Sequence, residues 1–99
     1  MSVHEPVRIE KLMSLTLREF QYTIAPLAGG PLASDRNDVQ SALAGGTVVV
    51  AYDPRPSVRL GGLMDMPRAI VSLTFSGVAE AERDAFIKRF DFTFQRGGG

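Results

Sequence analysis

The sequence predicts an α+β fold in which helices cover one face of a four-stranded antiparallel sheet. Three observations carry that expectation. Across Ala69–Phe94 the hydrophobic period changes from two to about 3.6 and back to two, the pattern of a strand, a helix and a strand in close succession. Thr47-Val-Val-Val-Ala-Tyr52 is a β-branched run with the character of a buried central strand. Thr16-Leu-Arg-Glu19 has the spacing of a capping box, and it stands before apolar residues that recur at helical intervals.

Taken in order, Val7, Ile9 and Lys11 alternate with Arg8 and Glu10, which predicts a short strand entered through Pro6. Leu17, Phe20, Ile24 and Leu27 mark a helix from Leu17 to Ile24. Ala25 stands before Pro26 and is biased out of helical geometry, and Gly29-Gly30-Pro31 follows. Asp35 to Asp38, then Val39, Ala42, Leu43 and Gly45-Gly46, read as a short helix capped by Asp at one end and Gly at the other. Thr47–Tyr52 is the next strand. Asp53–Arg68, rich in Pro, Gly, Arg and Asp, reads as a long loop, with a short extended piece at Val58–Leu60 able to pair with Thr47–Tyr52.

Ala69, Val71, Leu73 and Phe75 share one face of a further strand. A helix over Ala79–Arg89 has acids early and bases late, as the helix dipole favours, with Asp84 and Lys88 at pairing distance along it. Phe90, Phe92 and Phe94 then read as a last strand with three aromatics on one face; the competing reading carries the helix through to Phe94. The order β, α, short α, β, β, α, β is the split βαβ arrangement of ferredoxin-like sandwiches. Val48, Val50, Val71, Leu73, Phe75, Phe92 and Phe94 would form its core layer. Residues 1–96 are expected to make one domain, with Gly97-Gly98-Gly99 a flexible tail.

Composition removes several kinds of chemistry. There is no Cys, so disulfides, thiolate metal sites and a cysteine nucleophile are excluded. His4 is the only histidine, so an imidazole zinc site or a histidine triad would need ligands from another subunit. No pairing of Asp, Glu, Tyr22 or Tyr52 has spacing suited to general acid–base work, so no enzyme activity and no cofactor are expected. Eleven basic residues balance eleven acidic ones, which argues against a nucleic-acid footprint. All the basic residues but Lys11 and Lys88 are Arg, a bias that fits a GC-rich bacterial genome or the use of guanidinium forks. No apolar run reaches membrane-spanning length, and the N-terminus has no signal-peptide regions; a cytoplasmic location is the expectation.

Segment 53–68 is the candidate site. Arg55, Arg59 and Arg68, with Asp65, stand among prolines and glycines that fix the backbone and let a ligand approach closely. In an extended chain, residues four apart share a face, so Arg55 and Arg59 would present two guanidinium groups to one phosphate or carboxylate. The plainer reading is a solvated hairpin loop in which the arginines pair with Asp53 and Asp65. Arg55-x-x-x-Arg59, Leu73-Thr-Phe-Ser-Gly77 and a following helix Glu80–Phe90 resemble the second half of a PilZ domain. That resemblance spans residues 55–90 and implies a small β-barrel with a C-terminal helix that binds cyclic di-GMP through the arginine motif. The D/N-x-S-x-x-G motif that accompanies it in the family does not follow Arg59.

The function expected is therefore a non-enzymatic binding or assembly module. It would self-associate or take a protein partner through a sheet edge or through the half-apolar second face with Val49, Ala51 and Ile70. Met64 and Met66 would suit an adaptable contact surface. The alternatives are a sensor of anionic, nucleotide-type ligands that uses Arg55, Arg59, Arg68 and Asp65, and a dimeric α/β-barrel enzyme with Ser72, Thr74, Thr93 and Gln95 in a pocket between sheets.

Overall fold

The computed structural model describes residues 5–62 and 64–96; the expected tail at 97–99 lies outside the described residues. The elements are β1 (Val7–Met13), α1 (Leu17–Ala28), β2 (Asp38–Leu43), β3 (Gly46–Leu60), β4 (Met64–Ser76) and α2 (Glu80–Arg96). The strands form one antiparallel sheet of four in the order β1-β4-β3-β2. The α+β class, the antiparallel sheet and the two long helices match the expectation from sequence. The element order differs from the split βαβ sequence, because α2 ends the described chain and no strand follows it.

Three local readings are corrected. Phe90–Phe94 continues α2. Phe86, Phe90 and Phe94 recur at four-residue intervals and are all buried, whereas Phe92 is 59% exposed. Helical spacing thus sends alternate aromatics to opposite sides, and the stacked rings of Phe90 and Phe94, 4.3 Å apart, hold the last turns on the core.

The short helix expected near Asp35–Gly45 is strand β2, in register with β3 from Asp38↔Ala51 to Leu43↔Gly46. Val39, Ala42 and Leu43 fit either period over so short a window, and the free edge of β3 decides in favour of a strand by supplying backbone partners. Helix α1 runs past Pro26 to Ala28. The donor missing at Pro26 falls in the last turn, Leu27 and Ala28 pack against the core, and Gly29 at φ 87° closes the helix by donating to the Ala25 carbonyl. The capping box at Thr16 forms as expected: Glu19 N–H donates to Thr16 Oγ1 at 3.1 Å, and Thr16 N–H to Glu19 Oε1 at 2.7 Å.

The core lies on one face of the sheet. Val48, Val50 and Tyr52 of β3 stand opposite Phe75, Leu73 and Val71 of β4, and both helices cover this layer. Phe20 of α1 meets Tyr52 at 5.5 Å and Phe94 of α2 at 6.2 Å, while Phe86 of α2 meets Phe75 edge-on at 5.9 Å. The expected inward layer is present, except that Phe92 faces out.

Tyr52 is the polar member of this core. Its hydroxyl donates to the Leu15 carbonyl at 3.1 Å. Burial pushes its phenol pKa upward, and the negative charge of Glu19 adds to the rise. A raised pKa in the folded state means that the neutral phenol stabilises the fold fully below the unfolded value of about 10. That stabilisation is lost as pH climbs through the folded value. Urea denaturation from about pH 8 to pH 11 should show stability falling at the alkaline end. Tyr52→Phe should start about 1 kcal/mol lower and fall less steeply there. Parallel pH curves for the two proteins would contradict this account.

Candidate functional site

Segment 53–68 is not a loop. β3 and β4 continue as a two-stranded ribbon well beyond β1 and β2, which cover only residues 69–75 of β4 and 46–51 of β3. All of Asp53–Leu60 is exposed, and the molecule measures 56 × 24 × 23 Å, the long dimension reflecting this arm. The extended piece Val58–Leu60 pairs with Met64–Met66 and not with Thr47–Tyr52. Gly61 and Gly62, at φ 61° and 74°, make the turn that β-branched or bulky residues would resist.

A bulge sets the chemistry of the arm. Between Arg55 and Val58, β3 carries one residue more than β4 does between Arg68 and Met66. Below the bulge, odd-numbered residues of β3 lie on the face away from the helices: Val49, Ala51, Asp53 and Arg55. Above it the parity inverts, and Val58 and Leu60 take that face opposite Met66 and Met64. Without the extra residue, Val58 and Leu60 would stand with Arg59 and Asp65 on the other side. Exposure of Val58, Leu60 and Met64 is 38%, 46% and 60%.

The same inversion separates Arg55 from Arg59, which the uninterrupted spacing placed on one side. Arg55 stands opposite Arg68 and pairs with Asp53 at 3.0 Å. Arg59 stands opposite Asp65 on the reverse face, pairs with it at 3.3 Å, and donates to the Gly62 carbonyl at 3.4 Å. Arg55 and Arg68 are thus like charges directly across the ladder, an arrangement that disfavours the isolated arm. One carboxylate, Asp53, lies on that face beside them. The expectation that arginines of this segment pair with Asp53 and Asp65 is met, by Arg55 and Arg59 respectively.

Prolines shape how the arm can be used. Pro54, Pro56 and Pro67 remove backbone donors from its strands, which discourages another strand from pairing with its edges. The arm offers a face, not an edge. That face runs without interruption into the helix-free side of the sheet, where Val49, Ala51, Ile70 and Thr74 are partly exposed and Leu12 of β1 is 61% exposed. Ser72, at the middle of it, is buried among its neighbours.

Sequence reasoning gave no role in binding to Tyr22, which is 84% exposed on α1. It stands with Arg18 between two shallow clefts: about 780 Å³ beside Pro26, Pro31 and Leu32, and about 580 Å³ beside Thr16, Glu19 and Pro67. The signal was its place outside the Leu17, Phe20, Ile24, Leu27 stripe. Ser72 and Thr74 lie on the sheet while Thr93 and Gln95 lie on α2, so these four do not share a pocket wall. Among the described residues, no three of His, Cys, Asp and Glu cluster to hold a metal ion, and no helix is long and apolar enough to cross a membrane.

No family model matches the chain, and no curated protein or solved structure matches it at a significant level. The sheet is open, with β1 and β2 at its edges, so the barrel implied by the PilZ resemblance is not formed.

Proposed function

We propose that this chain is a non-enzymatic binding or assembly module that contacts a protein chain through the helix-free face of its sheet and the arm that extends it. One observation carries the reading. The bulge after Arg55 brings Val58 and Leu60 onto the same face as Met64, where these three are exposed, in line with the partly exposed Met66, Ile70 and Val49. Isolated exposed apolar residues need no explanation, but a row of them aligned by a bulge on a projecting ribbon is a contact surface. The sheet does not close on itself, so its second face is available to a partner in a way the helix-covered face is not.

A second reading rests on Arg55 and Arg68. Two guanidinium groups in one register pair, with a single carboxylate beside them, could grip an anionic group on the ligand. Arg59 and Asp65 would serve that site by holding the turn.

A photo-reactive amino acid placed at Met64 or Ile70 in the producing cells tests the module. Covalent adducts, whether with the chain itself or with another protein, are expected from both positions and not from Tyr22, which is exposed elsewhere. Absence of adducts from the arm and the face, with Tyr22 equally silent, would remove the reading.

A further inference from the structure

We propose that the arm seats on an anionic phospholipid bilayer, with its apolar rows in the interface and Arg55 and Arg68 on lipid phosphates. The inference rests on the second reading above, in which these two arginines grip an anion, and it names the source of that anion. Four features of the molecule support it.

The first is charge. Residues 54–68 hold three arginines and one aspartate, a net charge of +2 on a chain whose total is zero. Asp53 meets Arg55 at 3.0 Å, and Asp65 meets Arg59 at 3.3 Å. Arg68 is half-buried directly across the ladder from Arg55, and among the described residues no acceptor pairs with it. A surface of closely spaced phosphates supplies acceptors to both guanidinium groups and relieves their mutual repulsion.

The second is the order of the rows. On the helix-free face Leu60/Met64 stands nearest the Gly61–Gly62 turn, then Val58/Met66, then Arg55/Arg68. Along β4 these rows are about 7 Å apart. Interfacial segments bury their apolar face about 5–10 Å into the boundary between headgroups and acyl chains. Immersing the two apolar rows therefore leaves the arginine row at the level of the phosphates. The third is the reverse face. Arg59 and Asp65 alternate with the apolar residues and neutralise each other on the far side of the ribbon. An arm laid obliquely on the bilayer keeps that pair in water, so the bulge makes the ribbon amphipathic as an interfacial helix is.

The fourth is area. With strands about 4.8 Å apart and about 3.4 Å of rise per residue, the arm by itself projects to roughly 250 Å². A specific protein partner of ordinary size needs about 800 Å² from each side. A bilayer needs no matching patch, because its hold grows with buried apolar area and with attraction between basic residues and anionic lipid.

Flotation of the full chain with lipid vesicles tests the proposal. The chain should rise with vesicles of mixed phosphatidylcholine and phosphatidylglycerol and stay behind with phosphatidylcholine alone, and added salt should release it. Arg68→Ala should weaken the binding about fivefold, equivalent to about 1 kcal/mol for one basic residue near the surface. The chain has no cysteine, so Leu60→Cys and Tyr22→Cys each carry an environment-sensitive dye at one place. Emission from position 60 should move to the blue with the mixed vesicles, and emission from position 22 should not.

No flotation with the mixed vesicles at low salt overturns the inference. So does equal flotation with both kinds of vesicle, or an unshifted dye at position 60 on bound protein. If vesicles fail while inorganic phosphate raises the melting temperature of the chain and not that of Arg68→Ala, the anion reading survives and the bilayer contact does not. Photo-adducts from Met64 to a protein, with no flotation, leave the binding-module reading standing and overturn this one.

Discussion

Phe20→Ala should lower the unfolding free energy by about 3–5 kcal/mol. Phe20 is fully buried at the point where α1, α2 and the sheet meet, with its ring 5.5 Å from Tyr52 and 6.2 Å from Phe94. Truncation removes the transfer free energy of the ring and leaves a cavity that three separate elements would have to move together to close. A domain of this size has only about 5–15 kcal/mol of stability to lose, so the variant should stand near the edge of folding. Urea denaturation followed by circular dichroism measures it, with an unchanged slope expected if the unfolded state is unaltered. Tyr22→Ala, two residues away on the exposed side of the same helix, should stay within about 0.5 kcal/mol. A loss below about 1 kcal/mol for Phe20→Ala would mean that the core is not organised around this ring.

The second large effect is expected at Gly46. A Cβ there would overlap the Ser76 carbonyl oxygen and lie 2.8 Å from the Gly77 carbonyl carbon. Both obstacles are backbone, so no side chain can swing aside, and the start of β3 would have to separate from the end of β4. Gly46→Ala should cost about 3 kcal/mol, the upper end of what overpacking normally costs. Gly61→Ala, on the arm, is the comparison. No atom stands within 4 Å of its added Cβ, and the only penalty is the left-handed backbone at φ 61°, about 1–2 kcal/mol. Thermal denaturation of both variants should therefore rank Gly46→Ala as the more damaging. The reverse order would show that the β3–β4 end can open at little cost.

These two sites also show where the sequence was informative. Phe20 lies on the Leu17, Phe20, Ile24 stripe, and the helix that carries it starts at a capping box written in the sequence, so its burial was legible from period alone. Gly46 was not legible. Gly45-Gly46 looked like a helix end because Val39, Ala42 and Leu43 fit a helical interval, and only the pairing of β2 with β3 turns the same glycines into a hairpin turn pressed against Ser76 and Gly77. Phe90–Phe94 failed for a related reason. Three alternating aromatics satisfy a period of two, yet Phe86, Phe90 and Phe94 satisfy a longer period over a longer window, and the longer window prevailed.

The candidate site divides in the same way. That Arg55, Arg59, Arg68, Asp53 and Asp65 belong to one unusual stretch was visible in composition, and so was their pairing of acids with bases. Their sorting onto two faces was not visible. Parity along a strand is local information until a bulge interrupts it, and a bulge exists only relative to a partner strand. Local chemistry along this chain therefore specified the class, the helix start at Thr16, the strands beginning at Val7, Thr47 and Ala69, and most of the core. Cross-strand register, which no single segment contains, set the strand order, turned residues 53–68 into an arm, and placed Val58, Leu60, Met64 and Met66 on one face with Arg55 and Arg68.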